Sequence, residues 1–126
     1  MSTLPKTPLT AAQYLEIERK AEFKSEFFHG EMFAMSGGSR AHSGLAFRLT
    51  VLIGQHLQGK GCTGFTSDMR VLVEETGLYT YPDLSVVCGA AKFADAEMDT
   101  LVNPTLLVEI LSPSTEQYDR GTKVKL

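Results

Sequence analysis

Tyr81-Pro82-Asp83-Leu84-Ser85-Val86-Val87-Cys88 and Thr105-Leu106-Leu107-Val108-Glu109-Ile110-Leu111-Ser112 each set one carboxylate in an otherwise apolar run. Both runs have the length and β-branched content of buried strands. An unpaired carboxylate buried there would be strongly destabilising, so Asp83 and Glu109 need partners. If the two strands are neighbours, one shared divalent cation serves both acids. That points to a metal-dependent hydrolase.

Working outward from this pair, the chain alternates helix and strand patterns. Thr10 with Gln13 has capping-box spacing and opens a helix expected over about 11 to 20. Residues 25–35 read as a hairpin turning at His29-Gly30, followed by the loop Ser36-Gly37-Gly38-Ser39. From about Ala41 to Gln58, Leu45, Leu49, Leu52, Ile53 and Leu57 recur at helical spacing, and Gly59-Lys60-Gly61 ends that helix. Strands are expected over 62–66 and 68–74, then from Leu78 through Cys88 after the Glu75-Thr76-Gly77 turn. Residues 89–103 read as a polar connection with a short helix near Phe93, followed by the strand 105–111. Ser114 with Gln117 has capping-box spacing and opens a last helix, which is still running at Leu126. The order α-β-β-α-β-β-β-loop-β-α is that of an α/β or α+β sheet protein. Its mid-helix stop on an apolar residue reads as a C-terminally truncated single domain spanning 1–126.

Composition narrows the class. At 126 residues, with 43% hydrophobic and 21% charged residues, the chain is an ordinary globular domain with enough apolar content for a core. No apolar stretch approaches the roughly 18 residues that span a bilayer, and the N-terminus lacks a signal-peptide core. The default is a cytoplasmic protein without a membrane partner. Cys62 in a turn-like stretch and Cys88 at the end of a strand do not form the close pairs of a metal site, so both are expected as reduced thiols, Cys88 in the core. The net charge of −3 gives no general encouragement to nucleic-acid binding. Its distribution is uneven, with seven Lys/Arg against five Asp/Glu in residues 1–60 and five against ten in 61–126. Charge alone decides nothing.

The chemistry lies in the spacing. Pro82-Asp83, followed 26 residues on by Glu109, is the layout of metal-dependent phosphodiesterases. They need oxygen ligands for a hard cation, a polarised water, and positive charge near the scissile phosphate. Asp83, Glu109 and the main-chain carbonyl of Ile110 can supply the ligands. The usual lysine two residues after the second acid is replaced here by Leu111. Lys123, some seven residues into the last helix and so roughly 10 Å along its axis, is a substitute on a long stem; Lys125 points to a different face.

On these residues the chain resembles the Uma-type restriction endonuclease family, also called domain of unknown function 820, within the PD-(D/E)XK nuclease superfamily. Four stretches carry the likeness: Ser25-Glu26 to Gly30-Glu31-Met32 with Met35-Ser36; Ala41-His42-Ser43; Tyr81 to Cys88; and Val108-Glu109-Ile110-Leu111-Ser112-Pro113-Ser114-Thr115 running on to Asp119 and Lys123. The resemblance implies a restriction-endonuclease-like PD-(D/E)XK core, a mixed central sheet flanked by helices. It implies Asp83 and Glu109 as metal-binding acids and Lys123 as a catalytic lysine moved to the following helix, with Glu26 and His42 on further motif positions. The family continues past this helix with more strands.

Structural alternatives stand beside each assignment. Asp83 could be satisfied by local backbone donors, and Glu109 by a basic side chain. Lys123 could pair with Asp119 at i−4. His42 could cap or pack near the start of its helix, and Glu26 could face solvent. Asp68 and Arg70 could form a simple cross-strand pair. The leading expectation is a DNA endonuclease using Mg²⁺ or Mn²⁺, with Arg40, Arg48 and Lys60 on phosphates and a homodimer for double-strand cutting. The competing expectations are a catalytically silent nuclease-fold module that binds nucleic acid or a partner, and another metal-dependent phosphohydrolase.

Overall fold

Thr10 caps the first helix as its spacing requires: its hydroxyl accepts the Gln13 N–H and the Gln13 side chain accepts the Thr10 N–H. The structure, a computed structural model, describes residues 7–111. Helix α1 spans Ala11–Lys20 and turns Tyr14, Leu15 and Glu18 inward. Strands β1 (Ser25–Phe28) and β2 (Glu31–Ala34) form the expected hairpin. His29 and Gly30 both take positive φ, 51° and 79°, the pattern of the tight hairpin turn whose twist matches its strands. Tyr14 of α1 stacks on Phe27 at 4.8 Å and meets Tyr79, forming a small aromatic core.

Helix α2 (Arg40–Leu57) follows, capped by Ser39. Next come β3 (Cys62–Thr66), β4 (Arg70–Val73), β5 (Leu78–Thr80), β6 (Leu84–Cys88), β7 (Thr100–Leu101) and β8 (Leu106–Val108). They form two sheets. The five-stranded sheet runs β2-β1-β5-β4-β7 and is mixed, its β4–β7 pair being parallel. The three-stranded sheet runs β3-β6-β8 and is antiparallel. A second core of Val71, Val87 and Leu101, with Phe65 and Leu107 against it, joins residues of both sheets.

Three local expectations change. The continuous strand from Leu78 to Cys88 is two strands in different sheets, broken at Tyr81-Pro82-Asp83. Pro82 has no N–H to give a ladder, and at this buried residue the chain crosses between sheets. The short helix near Phe93 is absent: Phe93 bridges Leu101 antiparallel, while β7 pairs with β4 to seat the fully buried Leu101. The cysteines are not free thiols. Cys62 lies directly opposite Cys88 in the β3–β6 register, and the two form a disulfide, with Cys88 exposed. Gly89 donates to Gly61 one pair further on, so the cysteines occupy a non-hydrogen-bonded pair, where side chains approach most closely. A bonded pair withdraws the cysteine argument for a reducing compartment.

No helix among the described residues is long and apolar enough to cross a membrane. The expected last helix, with Lys123, lies outside the described residues.

Candidate active site

The crossover at Pro82 delivers Asp83 to the start of β6, and Glu109 follows the last residue of β8. The ladder ends with Leu84 opposite Val108, so Asp83 precedes and Glu109 follows the last pair at one end of the sheet. The Ile110 N–H donates to Asp83 Oδ2 at 2.7 Å, closing this end of the sheet. His42 Nε2 lies 3.0 Å from Asp83 Oδ1. Asp83 thus has a backbone donor, as one alternative held, and also lies beside His42.

His42 is placed by its helix cap. Its N–H donates to Ser39 Oγ, which sets it in the first turn of α2 facing the three-stranded sheet. Gly38 presses against its ring: a Cβ there would fall 2.6 Å from Nδ1. Glu26 lies on β1 rather than at the sheet junction. The Phe27–Tyr79 register sets it opposite Thr80, whose hydroxyl donates to Glu26 Oε2. It is 3% exposed, so it does not face solvent. The structure thus joins His42, Asp83 and Ile110 directly and places Glu109 beside them. Glu26 is on the next sheet, bonded three residues upstream of Asp83.

Among the described residues, no three His, Cys, Asp or Glu side chains are grouped to hold a metal. The donor chemistry nevertheless suits Mg²⁺, which needs only one or two carboxylates and otherwise keeps its waters. Asp83 Oδ2 accepts from the Ile110 N–H and Oδ1 lies near His42 Nε2, and the carboxylate retains accepting capacity, since it offers about four lone-pair sites. The Ile110 N–H is committed to Asp83, so only its carbonyl remains available as a ligand.

A buried polar network behind this site was not expected from sequence. Tyr81 donates to Glu18 Oε2 at 2.7 Å and accepts from Arg70 Nη1 at 2.9 Å. Glu18 also accepts the Ser25 N–H, and Arg70 Nε donates to Thr100 Oγ1. Arg70 Nη2 lies 2.8 Å from Asp99 Oδ2 but makes no aligned hydrogen bond, so the contact is an ion pair. Asp99 in turn holds Arg19, which also pairs with Asp95. The Arg19 guanidinium, ahead of the burial that opposes it, keeps the Asp99 carboxyl well below the usual carboxylate range. Burial first, then the bond to Glu18, pushes the Tyr81 phenol up to about 12. Of the alternatives weighed, the Asp68–Arg70 pair does not form: Asp68 pairs with Lys24. One signal for this network was present, since Glu18 follows Tyr14 and Leu15 on the same helical face.

The family model Uma2, described as "Putative restriction endonuclease", matches residues 11–126. The chain belongs to the Uma2 family. Two uncharacterized Synechocystis proteins, slr1290 and sll1609, resemble this Uma2 chain at 41% and 38% identity, over 97% and 91% of its length. The chain spans 63% and 65% of those relatives. A crystal structure from Anabaena variabilis, described as "a putative nuclease belonging to DUF820", matches with a TM-score of 0.72 at 20% identity. That match covers 94% of this chain and 66% of the other, and it establishes the restriction-endonuclease-like fold.

Proposed function

We propose that this Uma2 protein is a DNA endonuclease that hydrolyses phosphodiester bonds with Mg²⁺ or Mn²⁺. One observation supports the reading: two acids 26 residues apart flank the last pair of β6 and β8, with Asp83 contacted by Ile110 and His42. Asp83 and Glu109 would hold the ion, with the Ile110 carbonyl as a third oxygen. Bound there, the ion supplies Lewis acidity at the phosphate and a more acidic water. His42 fixes the orientation of the Asp83 carboxylate and is a positioning residue. Lys123 is the side chain we assign to offset charge developing on the phosphate. Glu26 shapes the neighbouring strand through Thr80. Arg40, Arg48 and Lys60 contact flanking phosphates, and cutting both strands calls for a homodimer.

The second reading is a silent nuclease-fold module, favoured by the contacts both Asp83 oxygens already make within the protein. Plasmid cleavage separates the two. With Mg²⁺ or Mn²⁺ the protein should nick and then linearise plasmid. Asp83→Ala and Glu109→Ala should each slow this by about 100-fold or more. Activity that survives either substitution removes this assignment of the ligands. Metal and DNA binding without cleavage supports the silent module.

A further inference from the structure

We propose that Lys24 is a phosphate-binding residue at the rim of this site, with Asp68 occupying the place the DNA phosphate takes. The inference rests on the nuclease reading above.

Lys24 immediately precedes β1, and its carbonyl accepts the Met35 N–H at 3.0 Å, which extends the hairpin by one pair and fixes the stem. Its ammonium sits 2.9 Å from Asp68 Oδ1, 2.8 Å from the Ser67 carbonyl and 5.4 Å from the centre of the Tyr81 ring. These contacts locate the charge. Ser67 follows Thr66, the register partner of Leu84, so it leaves β3 at the end of the sheet where β6 begins. Tyr81 stands two residues before Asp83. Lys24 also shares a strand face with Glu26, two residues on.

A carboxylate pair repels a polyanion until positive charge brings the phosphate in. The strand that carries Glu109 offers Leu111 where a cation would help. Arg70 is 5% exposed and committed to Tyr81, Thr100 and Asp99. Arg19 is held by Asp95 and Asp99. Lys24 differs: its side chain is 40% exposed and that of Asp68 is 85% exposed. So open an ion pair contributes little to stability, and a phosphate can take the place of Asp68 at small cost. The Ser67 carbonyl and the Tyr81 ring keep the ammonium at the rim during that exchange.

The test measures binding of the full chain to a short DNA duplex without divalent metal across a salt series, alongside cleavage in Mg²⁺ or Mn²⁺. Lys24→Met should weaken binding several-fold and lower the salt slope by about one. Lys24→Arg should restore both. Asp68→Asn should strengthen binding. If the pair only braces the β3–β4 turn, Lys24→Met and Asp68→Asn will lower the melting temperature alike and leave the slope unchanged, which overturns the proposal. Wild-type cleavage equalled by Lys24→Met removes Lys24 alone. A wild-type protein that neither binds nor cuts DNA removes the nuclease reading and this inference together.

Discussion

The hydroxyl of Tyr81 lies between a carboxylate and a guanidinium, with Glu18 at 6% and Arg70 at 5% exposure. Removing it leaves two buried ionic groups short of a partner while the ring stays in place. Tyr81→Phe should therefore cost about 1–3 kcal/mol, read from the midpoint of urea unfolding. An unchanged midpoint would mean that the network contributes nothing net. Tyr14, Tyr79 and Tyr81 are all raised, burial being the leading cause in each. A group with a raised folded pKa contributes stability that is complete below its unfolded pKa and disappears as pH climbs through the folded one. The window for Tyr81 runs from about 10 in the unfolded chain up to about 12. Urea unfolding at pH 11 should show lower stability than at pH 9, with tyrosinate absorbance lagging behind that of the unfolded chain. Asp83 and Glu109 were legible because a lone acid in an apolar run has few explanations. Arg70 and Asp99 were not, because each reads as an ordinary surface charge until a partner distant in sequence is placed beside it.

Elements with local causes were the easiest to read. The Thr10–Gln13 capping box set the start of α1, and the His29-Gly30 turn set the first hairpin. What failed was non-local. Pro82 signalled a break inside the expected long strand, but only pairing shows that β5 and β6 belong to different sheets. The disulfide is another case, since two cysteines 26 residues apart are unremarkable until β3 and β6 align them. Loop-closure entropy for that separation gives a stabilisation of about 3.5 kcal/mol. Cys62→Ser with Cys88→Ser should lower the urea midpoint accordingly, and a thiol assay on the untreated native protein should find no free thiol. Two titratable thiols would refute the crosslink.

At the scale of the molecule, α2 is the least settled part of the packing. Its half-buried side chains His42, Ala46, Leu49, Ile53 and Leu57 recur at spacings of four and three, yet none of its residues is fully buried. Beneath it lies a cleft of about 290 Å³ whose lining includes Ile53, Leu57, Phe65 and Leu84. Its amphipathic pattern was plain in sequence, but its depth of burial depends on what it meets. The restriction-endonuclease-like fold was legible through the family resemblance carried by the motif stretches; the element order alone pointed only to an α/β or α+β sheet protein.

The bond between the Ile110 N–H and Asp83 joins residues 27 apart and forms at the far end of β8. During synthesis, Asp83 leaves the ribosome before its partner strand does. A nascent chain shorter than 110 residues cannot make that bond. The two acids therefore come together only after the β1–β2 hairpin has emerged.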